Sequence, residues 1–144
     1  MLSTALQWLG DGMKAPSEDI KDIMEGSASG LTLTFATDLF IGHMPPSPDK
    51  CVTIYDTSGY PAELDYTYQR PTFQIKVRGN KGGYRAAHEL AQAIRDLLHG
   101  THNENVNGAR YILIAIESDV GSIGPDEQER PQFTVNFRAH RTEA

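Results

Sequence analysis

The chain predicts an α+β fold, a mostly antiparallel sheet of about five strands against one long helix, with short N-terminal helices and extended loops. Three observations predict it. The stretch Arg70-Pro-Thr-Phe-Gln-Ile-Lys-Val-Arg78 is echoed sixty positions later by Arg130-Pro-Gln-Phe-Thr-Val-Asn-Phe-Arg138, with Arg, Pro, Phe and a closing Arg at the same offsets. One fifteen-residue segment, Tyr84 to Leu98, carries an apolar stripe at helical spacing. The run Tyr111-Ile-Leu-Ile-Ala-Ile116 is apolar without interruption, the pattern of a strand buried on both faces.

From the N-terminus, Leu2, Leu6 and Leu9 with Ala5 and Trp8 predict a short amphipathic helix over residues 3–9, ended by Gly10. A second helix is expected over Glu18–Glu25, capped by Ser17, with acidic residues in its first turn and Gly26 after its last. Residues 1–26 form a helical lead segment. Leu31-Thr-Leu-Thr-Phe35 alternates strictly and predicts a strand, continued by Leu39-Phe-Ile41 after a bend at Thr37-Asp38.

His43 to Lys50 holds three prolines in eight residues, which excludes helix or central strand and predicts a stiff connector into a strand at Cys51–Tyr55. Residues 56–69 are turn-rich, so 42–69 is expected to project as a loop or arm. In the echo strands each proline stands at the entrance, where its missing N–H breaks no ladder bond. Phe73, Ile75 and Val77, like Phe133, Val135 and Phe137, then face one way, with polar residues between them. They form a core layer with Leu90 and Ile94 of the long helix and Ile112 and Ile114 of the apolar run, which reads as the central strand. The His99-Gly-Thr-His102 stretch, with Glu104 nearby, reads as a solvated loop after the helix. Residues 118–130 exceed the two to five residues of an ordinary hairpin loop and are expected to project as well.

The 144 residues suit one domain. The net charge of −6 argues against a sequence-independent grip on nucleic acid, though it suits an opening through which a duplex passes without sticking. Cys51 is the only cysteine, so neither an intrachain disulfide nor a cysteine-based metal cluster is expected. No apolar run approaches the length of a membrane span and the N-terminus lacks a basic lead, so the chain reads as soluble and intracellular when made.

Four motifs carry residue types used in catalysis or ligand binding. Asp56-Thr-Ser-Gly59 resembles an aspartic protease corner only superficially, since Ser58 separates the threonine from the glycine. Gly79-Asn-Lys-Gly-Gly83 precedes a helix but lacks the ending of a phosphate-binding loop. His99 and His102, near Glu104, straddle a helix end, so nothing holds them convergent on a metal. Asp126-Glu-Gln-Glu129 reads as an acidic turn. The chain is therefore expected to be no enzyme, with no catalytic, cofactor-binding or metal-ligating set. Contact surface is what remains: Tyr60, Pro61, Tyr66 and Tyr68 on the first arm, Asp126 and Glu127 on the second. Tyrosine buries much area at little entropic cost.

Met44 to Gly59, the two echo strands and the Tyr84–Leu98 helix, taken in order, resemble the minor capsid and tail terminator (tail completion) proteins of tailed bacteriophages, over roughly residues 30–140. The resemblance implies a virion protein made in the host cytoplasm. It would form a homo-oligomeric ring, usually a hexamer, at the head–tail joint of a siphophage tail. There it would stop tube polymerisation, meet the tail tube protein below and dock the head completion or connector protein above, with DNA passing through its lumen. Rival expectations are a head-completion ring one level closer to the capsid, or a hydrolase using Asp56.

Overall fold

The computed structural model describes residues 13–61 and 68–144. Its elements run α1 (Pro16–Glu25), a 3₁₀ turn (Ser27–Ser29), β1 (Leu39–Ile41), β2 (Cys51–Tyr60), β3 (Arg70–Arg78), α2 (Tyr84–Leu98), β4 (His102–Val106), β5 (Ala109–Ser122) and β6 (Gln132–Glu143). The sheet order is β1-β2-β3-β6-β5-β4. Among the strands of the described residues only the β1–β2 pair is parallel, and the sheet curls into a half-barrel. Among the described residues it thus has six strands rather than about five, and two helices rather than one pack on it.

The echo strands β3 and β6 are antiparallel neighbours at the centre of the sheet. Their register places Phe73 opposite Phe137, Ile75 opposite Val135 and Val77 opposite Phe133, and all six are buried. Phe73 and Phe137 stack with ring centroids 5.1 Å apart and planes inclined by 15°. Both helices cover this face. α2 buries Ala87, Ala91, Ile94 and Leu98, with Leu90 half-buried beside them, and α1 adds Ile20 and Met24 to the same core. The opposite face carries Gln74, Lys76, Thr134, Asn136 and Arg138, all half-buried.

Several expected elements are arranged differently. The helix expected over residues 3–9 lies outside the described residues. α1 begins at Pro16, so Ala15 rather than Ser17 is its N-cap residue; proline suits the first helical position, where no N–H is needed. Leu31–Phe35 is not a strand. Leu31 and Leu33 are buried and Thr32 between them is exposed, but Thr32 has φ 55°, which breaks the extended backbone. The amides of Thr37, Asp38 and Leu39 all turn back onto the Thr34 carbonyl.

The segment read as a solvated loop after α2 holds β4, paired to β5 through a tight turn at Asn107-Gly108, φ 51° and 81°. An Asn-Gly pair is the strongest short-range hairpin signal because both central residues need positive φ. β5 is not central, because β3 and β6 hold that place. It continues to Ser122, so the second arm is shorter than residues 118–130. A register shift between Tyr111 and Leu113 leaves Ile112 half-exposed and outside the core, while Ile114 stays buried. The first arm is shorter too, since β2 runs to Tyr60 and pairs with β3 down to Arg70. Gly59 absorbs the bulge in that pairing with φ 74°; a Cβ there would stand 2.9 Å from the Arg70 carbonyl oxygen.

Candidate assembly interface

Four arginines of β3 and β6, Arg70, Arg78, Arg138 and Arg141, enter different surroundings, and with Arg130 they organise the surface. At one end of the β3–β6 pair, Arg78 is buried and donates from Nε to the Asp49 carbonyl at 2.8 Å and from Nη2 to the Pro45 and Pro48 carbonyls at 2.7 Å each. Arg130, also buried, donates to the Pro46 carbonyl at 2.6 Å, to Asp49 at 3.0 Å and to Asp126 at 2.7 Å. Two guanidiniums thus hold the proline-rich connector, whose carbonyls have no ladder to join. Asp126 in turn accepts from the amides of Gln128 and Arg130, both at 2.9 Å. Both arms at this end are therefore built on arginine.

At the other end, Tyr60, Arg70, Arg138 and His140 line a cavity of about 210 Å³. Tyr60 is 46% exposed and donates its hydroxyl proton to Glu117, while the Arg70 guanidinium lies 5.6 Å from its ring centroid. Arg70 also donates to the Pro61 carbonyl at 3.1 Å. The Tyr68 hydroxyl is hydrogen-bonded to His140 Nδ1. Burial first, and then the Arg138 and Arg70 charges, hold the His140 pKa below its ordinary 6.5.

The unfolded chain therefore takes up this proton before the folded one. Stability tied to neutral His140 is fully present above about pH 6.5 and is lost as pH falls through the folded value. Thermal melts between about pH 7.5 and pH 5 are expected to show a steeper acid-side loss for the native chain than for His140→Gln. Identical slopes would remove this role for His140.

A third polar cluster lies under α1. Asp19 is fully buried and accepts from the Tyr111 hydroxyl at 2.6 Å, Asn107 at 2.9 Å and Arg141 Nη1 at 3.2 Å. Arg141 also donates to the Lys14 carbonyl at 2.7 Å and to Gln69 at 2.9 Å. Burial pushes the Asp19 pKa up, and it pushes the Tyr111 phenol up as well. This network pins α1 to β5, β6 and the Asn107-Gly108 turn.

The chemistry-bearing motifs have local tasks. Both Asp56 oxygens are taken by Ser17, from its amide at 2.9 Å and its hydroxyl at 2.6 Å, so Asp56 closes the N-terminus of α1. The Gly83 amide donates to the Asn80 carbonyl at 2.7 Å. His99 Nδ1 accepts from the Ile116 amide at 3.0 Å, and His102 Nδ1 meets the Gly100 carbonyl at 3.2 Å. Among the described residues no three His, Cys, Asp or Glu side chains are grouped to hold a metal ion, and no helix is long and apolar enough to cross a membrane.

Of the contact residues expected from sequence, Tyr60, Pro61 and Tyr68 gather at the Arg70 end, Asp126 and Glu127 at the Arg78 end; Tyr66 lies outside the described residues. The two groups are separated by the length of β3, roughly 27 Å for eight residue steps. Sequence reasoning missed Arg78, Arg130, Arg138 and Arg141. The signal for Arg141 was its parity, since it falls in step with Phe133, Val135, Phe137 and Ala139 on the core side of β6.

Fold and surface together define a small α+β domain with two dissimilar, arginine-lined ends. A family model described as "Bacteriophage tail terminator protein" matches residues 23–143. The chain belongs to that family and is a phage structural protein of the virion. Among solved structures it is similar to a chain described as "Virion of native gene transfer agent (GTA) particle", with TM-score 0.69 and 18% identity over 90% of this chain and 96% of the other. That likeness shows a shared fold. A second solved chain superposes at TM-score 0.48 with 15% identity, covering 90% and 91% of the two chains. No curated protein sequence matches.

Proposed function

We propose that this protein is the tail terminator at the head–tail joint of a siphophage. In this reading it caps the tail tube as a homo-oligomeric ring, a hexamer, and offers its other face to the head completion or connector protein. The match of the tail terminator family over residues 23–143 carries the reading. The surface supports it physically. A ring forms from a heterologous contact, in which one patch of a subunit meets a different patch of the next, and closes when the rotation per subunit divides a full turn. Two unlike patches at opposite ends of a rigid sheet are what such a contact needs. The net charge of −6 suits a lumen that repels phosphates and lets DNA pass without binding.

Particles assembled without this protein test the proposal by negative-stain microscopy. Overlong, unjoined tube polymers are the expected result. DNA-leaking heads beside tails of normal length would overturn it and place the chain one ring nearer the capsid.

A further inference from the structure

Among the described residues, the Tyr60 cavity holds more positive charge than its neighbours neutralise. The chain has 19 acidic residues against 13 basic ones, yet here Arg70 and Arg138 stand together, and neither has a carboxylate partner among the described residues. Arg70 Nε is buried with no hydrogen-bond partner among those residues. Arg138 makes one long contact, 3.5 Å to the Ile116 carbonyl. The nearby carboxylate, Glu117, accepts from the Tyr60 hydroxyl. Two guanidiniums beside an exposed aromatic ring form a receptor for a carboxylate with an apolar neighbour.

The other end of the molecule presents that combination. Asp126 is engaged by Arg130 and two amides, and Glu129 pairs with Lys81 at 3.1 Å. Glu127, between them, is exposed and has no partner among the described residues. Ile123, 52% exposed, and exposed Pro125 lie in the same loop. Because the Arg130–Asp126 pair already shapes this loop, docking it costs little further ordering.

Resting on the ring reading above, we infer that the cavity of Tyr60, Arg70, Arg138 and His140 receives the Asp126–Glu129 loop of a second copy of this chain. Glu127 lies against the guanidiniums, with Ile123 and Pro125 toward Tyr60. Cavity and loop occupy opposite ends of the β3–β6 pair, so the contact is head-to-tail and propagates from subunit to subunit. A charge pair of this kind sets register and suppresses wrong partners. DNA phosphate fits less well, since Glu117 stands at the cavity and the chain as a whole repels polyanions.

Purified tail tubes incubated with native chain, R138E, E127R and the doubly reversed R138E/E127R test the pair, with capped ends counted by microscopy and each variant's thermal midpoint measured alongside. Each single reversal is expected to lower the capped fraction about tenfold or more at an unchanged midpoint, and the double reversal to recover most of it. Single reversals that cap normally, or a double no better than either single, overturn the inference. So does failure of R138E alone with E127R unaffected, which assigns the cavity to another anion such as phosphate. A native chain that never caps tubes overturns the capping reading together with the pair. Native capping that is indifferent to both charges overturns the pair alone.

Discussion

Asp19→Ala is expected to destabilise the protein by about 3 kcal/mol or somewhat more, the low part of the range for breaking a buried ion pair. The substitution leaves the Arg141 guanidinium, 5% exposed, without its counter-charge, and it strips the buried Tyr111 hydroxyl of its acceptor. The loss stays at the low end because Arg141 keeps the Lys14 carbonyl and Gln69. The same physics makes a second measurement discriminating. A pair of buried charges is costly to desolvate, so Asp19→Leu combined with Arg141→Met is expected to lie closer to the native protein than either single substitution. Urea unfolding at neutral pH reads both. A loss below about 1 kcal/mol for Asp19→Ala would mean that α1 is not held through this network.

Phe137→Ala is expected to cost about 3–5 kcal/mol, because it removes a fully buried ring from the centre of the sheet and leaves a cavity that neighbouring strands cannot close. Its ring lies 5.1 Å from that of Phe73 on the paired strand, under the same layer of helices. A double-mutant cycle with Phe73→Ala is expected to show coupling of about 0.5–1.5 kcal/mol beyond simple area burial. Near-neutral single variants, or strictly additive ones, would show that the two echo strands do not share a packed layer.

Much of the fold was legible in the sequence because it rests on local periodicity. Alternation at Phe73, Ile75 and Val77 and at Phe133, Val135 and Phe137 marks one-sided strands wherever they pair, and the 3.6-residue stripe from Tyr84 to Leu98 marks its helix. β4 was equally visible, through Asn107-Gly108, and was missed because four of its five residues are exposed and carry no hydrophobic pattern. Leu31–Phe35 misled for the opposite reason. Its leucines are buried as the alternation requires, but the positive φ of Thr32 breaks the strand, and alternation does not report backbone dihedrals. Ile112 was misplaced by a register shift, which moves a side chain off its face without changing composition.

The candidate interface was legible in part. Tyr60, Pro61, Asp126 and Glu127 stood out as exposed aromatic and acidic side chains in turn-rich segments, which composition reveals. The arginines beside them were not read as functional, because their roles depend on partners that periodicity does not reveal, such as the Asp49 carbonyl 29 positions from Arg78 and the Pro46 carbonyl 84 positions from Arg130. By itself the sequence determined α2, the apolar faces of β3 and β6, the strand character of the Tyr111–Ile116 run, and that the two Arg-Pro-x-Phe strands belong to one buried layer. Only the tertiary structure decided that those strands are direct neighbours, that Asp56 closes a helix, and that Arg70 and Arg138 meet in one cavity. The physical reason is that periodicity is set by backbone geometry within a few residues, whereas strand order and charge pairing are set by contacts between segments far apart in the chain.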